Sequence, residues 1–484
     1  MTAFEIDPGR LFVGGQWREA ADGARTDVVD PSRGTVLTTV AQAGAADVDA
    51  AVQAAREAFD AGHWSGLSGR ERGRVLLRVA RLIREEADDI ARLESLDVGK
   101  PITLAHAVDV TNAADDYEYF AGLAFALDGA HRDTPMNALA YTRREPIGVV
   151  AAITPFNFPL ILAGSKIAPA LAAGNTVVHK PADETPLSAL YMAGLLQRAG
   201  VPDGVVNVVT GTGPVAGEAL LRHPGVDKIA FTGSTAVGRH AASVAGANLK
   251  PVTMELGGNA AHLVFEDADL EKAVGAVIKG FVFNTGQFCM GGPRLLVAHP
   301  VYSTLLNILA EAVPGVPVGD PRLPETVVGP MAGERHLRKV EEYVDLAREE
   351  GARIVCGGER LELDGGYYYK PTVIADVAPD SRVVQEEIFG PVLTVQPFDD
   401  EDEAITLANS TPYGLASGVQ TGNLARAHRV AARLQAGIVW VNDWAMLDPA
   451  VPFGGVKDSG FGREYGPEAL AAYTRVKSVV VSLD

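Results

Sequence analysis

A chain of 484 residues is too long for one ordinary core and predicts two or three domains. With 47% hydrophobic and 21% charged side chains it has the composition of an ordinary globular protein. Its 42 basic against 61 acidic residues give a formal charge of -19, spread along the chain; this favours solubility and argues against nucleic acid, whose phosphates need a concentrated basic surface.

The opening stretch "MTAFEIDPGRLFVGG" places acidic residues and glycines before any long apolar run, so it lacks the basic start and apolar centre of a signal peptide. Amphipathic helices are predicted over 46–62 and 70–96, the second from Val75, Val79, Leu82, Ile83, Ile90 and Leu93. The segment 127–146 is polar and extended. From 149 onward short apolar runs alternate with Ala-rich helical stretches: "VVAAITPF" (149–156), a helix near 160–172, "NTVVHKP" (175–181), a helix over 186–199, "VVNVVTG" (205–211), a helix near 214–222 and "KIAFTGS" (228–234). This spacing predicts a parallel sheet wrapped by helices, a Rossmann-like layer structure. A second α/β block begins near 258 with "AHLVFE" (261–266), and the chain ends on "VKSVVVSLD", which alternates like an exposed strand. That strand and the 127–146 segment have no home in either block; they are expected to pair with each other or with another subunit. No stretch reaches the roughly 20 apolar residues that would cross a bilayer, so no membrane association is expected. Two cysteines, Cys289 and Cys356, cannot build a disulfide framework, and no CxxC or HExxH spacing is present for a metal. A reducing cytoplasm is the expected location, with no metal.

Four stretches carry potential chemistry. "FTGSTAVG" (231–238) puts Gly233 after a predicted strand and Ser234 and Thr235 where a helix would start, a place where free amides attract an anion. The spacing is GxxxxG rather than GxGxxG, and an ordinary helix cap fits it as well. Cys289, in "NTGQFCMGGPR", is flanked by Gly286, Gly291 and Gly292, so its segment cannot be regular throughout. An isolated cysteine is more often a small buried hydrophobe; as a nucleophile it would need a base or a positive environment, and a donor for the oxyanion it creates. Glu255 in "MELGGN" and Asn157 in "TPFNFP" could serve, though each also fits a turn.

Taken together and in order, "TPFNFP", "KIAPALAAGNTVVHKPADETP", "FTGSTAVG", "MELGGN", "GQFCMGGPR", "EEIFGPV" and "PFGGVKDSGFGRE" resemble the aldehyde dehydrogenase superfamily along nearly the whole chain. The resemblance implies a Rossmann-like cofactor domain (1–126 and 146–257), an α/β catalytic domain (258–472) and a small β oligomerisation segment (127–145 and 473–484), working as a homodimer or homotetramer. It implies NAD(P)-dependent oxidation of an aldehyde to an acid, with Cys289 as nucleophile, Asn157 as oxyanion donor and Glu255 as water activator. An acylating relative, which passes the acyl group to coenzyme A, commonly lacks that glutamate; a non-catalytic relative would have no reason to keep all three residues.

The same resemblance places Lys180 and Asp183 on the adenosine ribose, and Gly213, Phe231, Gly233, Ser234, Val237 and Gly238 around adenine and pyrophosphate. Glu387 and Phe389 fall near the nicotinamide ribose and ring, Ile153, Thr154 and Pro155 at the strand end, and Leu256 and Gly257 close to the nicotinamide. Asp183 stands where NAD-using members often have Glu; a carboxylate there accepts from a ribose 2′-hydroxyl and repels a 2′-phosphate, so NAD is favoured and NADP left open. Phe156, Val282, Phe288, Met290, Leu447 and Phe453 fall at substrate-channel positions, with Trp444 nearby. They suit an apolar aliphatic or aromatic aldehyde, since no arginine stands among them; semialdehydes and other charged aldehydes are the alternative. Lys166 matches a lysine near the channel, where a salt-bridge or packing role fits equally.

Overall fold

The runs Val149–Ile153, Thr176–Lys180, Val206–Val208 and Lys228–Thr232 are buried at every position. Such continuous burial is the mark of parallel strands covered by helices on both faces. The structure, a computed structural model, describes residues 9–484; the first eight residues, which fall within the expected cofactor domain and the stretch expected to lack a signal peptide, lie outside the described residues.

The strands form an eight-stranded sheet in the order Gln16–Arg18, Leu11–Val13, Val206–Val208, Thr176–Lys180, Val149–Ile153, Lys228–Thr232, Val252–Glu255, Gly460–Phe461. Its five central members are parallel, with an antiparallel N-terminal hairpin on one edge and Gly460–Phe461 antiparallel on the other. Strand order reverses between Val149–Ile153 and Lys228–Thr232, and crevices open at the carboxyl ends of strands flanking such a reversal. Register places Phe231 beside Ile153 and Thr232 beside Glu255. A seven-stranded sheet, parallel but for Arg353–Cys356, contains Ala261–Val264 and Arg294–Ala298 at its centre.

Thr474–Ser482 and Ala138–Pro146 pair antiparallel with each other along their whole lengths, and His131–Arg132 adds a short third strand. One expected helix needs correction. The segment 70–96 is two helices, Gly69–Glu85 and Ala87–Val98, broken at Glu86 (φ -104°, ψ 21°). Apolar periodicity runs through the break because both helices bury the same side, while the Glu86 carboxylate accepts from Tyr191 and from Arg198 at 2.6 Å. The helix expected near 214–222 starts as a wide turn, Gly213–Gly217, before Glu218–Arg222. Among the described residues no helix is long and apolar enough to cross a membrane.

Candidate active site

The carboxyl edge of the first sheet faces the amino edge of the second, and the chemistry-bearing turns meet between them. Asn157 follows Val149–Ile153, Glu255 ends its own strand, and Cys289 lies in the turn before Arg294–Ala298. A cleft of about 830 Å³ lies at this junction, lined by Asn157, Cys289, Gly233, Ser234, Glu387 and Phe389, with Pro155, Phe156, Val237, Leu256 and Gly257 also on its wall.

Close backbone approach sets the geometry. A Cβ on Gly258 would lie 2.0 Å from the Cys289 carbonyl oxygen, so only glycine lets the two turns touch. Gly286, at φ +70°, presses on the Gly390 carbonyl in the same way. The Gly258 N–H donates to a Glu387 carboxylate oxygen at 2.8 Å, joining the glutamate, the Glu255 strand end and the cysteine turn. On the other side, Asn157 Nδ2 donates to the Gln287 carbonyl at 2.9 Å.

Burial dominates the electrostatics of all three ionisable groups. Burial pushes the Cys289 thiol up to about 12, helped by the Glu255 and Glu387 charges and opposed by the backbone amides of Met290 and Cys289. Glu255 is 2% exposed, and among the described residues neither of its oxygens has a hydrogen-bond partner. Burial, then the charge of Glu464, holds it well above the usual carboxylate range, against Lys166 and Arg463. Burial also raises Glu387 to about 7, against the Gly258 amide and Lys339.

Several expected residues support the cleft from behind. Ile153 and Phe231 are buried in sheet register; the Phe231 ring lies where a Gly233 Cβ would be, 2.6 Å away. Thr154 Oγ1 is 2.9 Å from His179 Nε2, and burial lowers that histidine to about 3. Gly238 leaves space that Leu256 fills, since a Cβ would be 2.1 Å from it. Lys180 packs its methylenes against Gly217, at the turn that Gly213 opens. Burial lowers Lys180 and, with the neighbouring Glu184, raises Asp183.

The six channel positions divide. Phe156 lines the cleft, stacked on His336 at 4.1 Å between ring centres. Val282 is packed in the core of the second sheet with Val264 and Leu295. Phe288 is 3% exposed against Phe283, while Met290 and Leu447 are half-buried beside it and Phe453 is buried near Tyr465. Trp444 is fully buried, its indole N–H donating to the Met290 carbonyl at 3.1 Å.

Two sets of site residues escaped sequence reasoning. Glu464 forms an ion pair with Lys166 and accepts from Ser165 Oγ at 2.8 Å, and Lys166 also donates to Thr232 Oγ1 at 2.6 Å. Glu464 lies within the quoted "GFGRE" and a salt-bridge role already fits Lys166, but the pairing of the two, almost 300 residues apart, was not in view. The second set is on the helix Glu334–Glu349, where Arg335, His336 and Lys339 face the cleft. Arg335 pairs with Glu184 at 2.5 Å; burial alone would raise Glu184, but His336 and Arg335 bring it to about 2. Lys339 donates to the Glu387 carbonyl at 2.7 Å.

Comparison with known proteins agrees with this arrangement. Residues 17–479 match the pattern of the Aldehyde dehydrogenase family. The chain is similar to aldehyde dehydrogenase from Bacillus cereus in its NAD+ complex, at 43% identity and TM-score 0.98, covering 100% of this chain and 98% of that one. It is similar to PnpE from Pseudomonas sp. WBC-3, at 44% identity and TM-score 0.96 over 98% of both chains. A point mutant of betaine aldehyde dehydrogenase from Staphylococcus aureus, in complex with NAD+ and carrying a BME-modified cysteine, matches at 38% identity and TM-score 0.97, over 99% of this chain and 96% of that one. Ordered motifs, two facing sheets and the match along almost the entire length lead to one assignment: the chain belongs to the aldehyde dehydrogenase family.

Proposed function

We propose that the protein oxidises an aldehyde to a carboxylic acid with NAD as hydride acceptor, through a thiohemiacetal and a thioester on Cys289. The observation that supports this is one cleft lined by Cys289, Asn157 and Glu387, with Glu255 buried and unpartnered beside it.

The residues present fit a dinucleotide. Gly233 and Gly257 line the cleft and let Phe231 and Glu387 close against their backbone, and the helix Thr235–Ala247 starts at the cleft, capped by Ser234. Lys180 and Asp183 would hold the adenosine ribose, and Glu387 and Phe389 the nicotinamide end. Glu184 is engaged by Arg335, which leaves Asp183 as the carboxylate for a ribose 2′-hydroxyl and favours NAD over NADP. When bound, NAD supplies the acceptor for the hydride and its electron pair.

Attack by sulfur forms the S–C bond and turns the carbonyl oxygen into an alkoxide, stabilised by the Asn157 side-chain N–H and the Cys289 backbone N–H. The thiol proton passes to Glu255, whose raised proton affinity suits it as acceptor. As the C=O re-forms, the hydride leaves and a thioester remains on Cys289. Glu255, having passed its first proton to solvent, takes one from water; hydroxide adds to the thioester carbon, the C–S bond breaks as the C=O re-forms, and sulfur leaves with the electron pair.

Met290, Leu447, Phe288 and Phe453 support an apolar aliphatic or aromatic aldehyde as substrate. The Thr474–Ser482 strand leaves Val476, Val480 and Val481 exposed on a sheet edge, which supports a homo-oligomer; light scattering behind size exclusion tests it. Two unpaired cysteines, Cys289 and Cys356, suit a cytoplasmic location. We read the two large sheets as the cofactor and catalytic domains. NADH formation at 340 nm with apolar and charged aldehydes, with NAD or NADP, tests the proposal; turnover lost in Cys289→Ala is expected, and turnover that survives there refutes it.

A further inference from the structure

The turn that carries Cys289 has an unusual backbone. Asn284 and Thr285 are consecutive non-glycine residues in the left-handed region, at φ +48° and +58°. Asparagine tolerates that region better than most residues, whereas a β-branched threonine there is a genuine outlier. Such a conformation persists only where its surroundings over-determine it, and it gathers at functional sites. Here Thr285 Oγ1 donates to the Gly329 carbonyl at 3.1 Å, and the Gln287 side-chain oxygen accepts from the Ala332 N–H at 2.9 Å.

The left-handed turn aims the Asn284 side chain at the loop that carries Asn157. Asn284 is 1% exposed, and its Nδ2 meets two carbonyl oxygens, that of Asn157 at 2.9 Å and that of Gln287 at 3.2 Å. Both partners can only accept, so the nitrogen and not the oxygen faces them. The Gln287 carbonyl also accepts from Asn157 Nδ2 at 2.9 Å. Two side-chain amides, one from each loop, therefore converge on the carbonyl of Gln287, two residues before Cys289. One Asn157 N–H is spent on that carbonyl and the other is left for an alkoxide.

We propose that Asn284 is a positioning residue for acyl transfer: it fastens the Asn157 loop to the Cys289 turn and thereby sets the separation between oxyanion donor and sulfur. This rests on the reading of Cys289 as nucleophile and Asn157 as donor. A donor displaced by an ångström loses most of its effect, so the loss falls on acylation rather than on the sulfur's own reactivity.

Two variants test it. Asn284→Gly keeps the left-handed backbone and removes the amide; Asn284→Asp keeps the shape and turns a donor into an acceptor facing two carbonyls. Acylation is measured as the single-turnover NADH burst with aldehyde, and as single-turnover cleavage of an activated ester without cofactor. Alkylation of Cys289 by iodoacetamide, followed by peptide mass, reports sulfur reactivity with no oxyanion involved. Both variants are expected to acylate about 10- to 100-fold more slowly in both assays, with alkylation within about twofold of wild type. In an Asn157→Ala background, Asn284→Gly should add little further loss. Wild-type acylation in either variant overturns the proposal, as does alkylation that falls in step with acylation, since the whole turn has then moved. If the glycine variant does not fold, the aspartate variant is read by the same criteria. Asn157→Ala at the wild-type acylation rate would instead strike the oxyanion reading itself.

Discussion

Gly258 is where the two halves of the site touch most closely, and Gly258→Ala has a calculable consequence. An ideal Cβ there lies 2.0 Å from the Cys289 carbonyl oxygen and 3.3 Å from Leu415 Cβ, whereas real Cβ atoms essentially never approach within 3.0 Å. The contact must open by at least about 1 Å, and the atom it strikes is backbone rather than the end of a flexible side chain, so the cysteine turn itself moves. Misplacing a reacting group by that much costs on the order of 10²-fold, equivalent to about 2.7 kcal/mol of barrier. Overpacking of this kind also destabilises by typically 1–3 kcal/mol. The assay is rapid-quench measurement of the NADH burst at saturating NAD and aldehyde, beside urea unfolding. Gly275→Ala is the control: that glycine lies in the helix Leu270–Val282 with nothing within 4 Å of an added Cβ, so it should leave the burst unchanged and stabilise by roughly 0.5–1 kcal/mol. A Gly258→Ala protein with a wild-type burst rate would refute the idea that this contact sets the nucleophile's place.

Glu255→Gln, which loses the acceptor for both the thiol proton and the water proton, should show a slowed NADH burst, little turnover, and a thioester on Cys289 visible by intact mass. Because burial and Glu464 raise Glu255, the base form is populated only at higher pH than for an ordinary carboxylate, so hydrolysis should rise with pH along a limb displaced upward. Glu464→Gln removes a like charge, lowers that affinity and should shift the limb to lower pH in a pH–rate profile; an upward shift would contradict this assignment. Lys100→Met leaves the fully buried Glu94 and Asp109 without the ammonium that now lies 3.4 and 2.5 Å from them, and urea unfolding should show a loss of about 3–5 kcal/mol.

Local signals carried much of this structure in the sequence. Short buried runs became parallel strands, Gly-Ser-Thr after 231 became a strand-to-helix turn, and the 127–146 and C-terminal segments paired with each other. What was hidden depends on partners distant in sequence. Periodicity could not show the break at Glu86, whose carboxylate is held by Tyr191 and Arg198 more than a hundred residues on. Nor could it show that Val282 points into the second sheet's core, or that Phe156 would stack on His336. The left-handed pair Asn284 and Thr285 is equally invisible, since only Asn hints at such a backbone and Thr argues against it.

The unpartnered carboxyl of Glu255 explains why the site is built from long-range contacts. A glutamate given two or three backbone donors would hold its charge easily and be a feeble base. Leaving both oxygens without partners costs about 1–3 kcal/mol for a buried group, and that cost appears as proton affinity. The same burial pushes the neighbouring thiol up to about 12, so sulfur and carboxyl are both driven toward their neutral forms. A thiolate here needs stabilisation supplied along the reaction itself, by donors already aimed at the oxygen that gains charge. The proposed mechanism requires Asn157 and the cysteine turn to keep a fixed relation, and the Gln287 carbonyl, with the amides of Asn157 and Asn284 both bonded to it, joins the two.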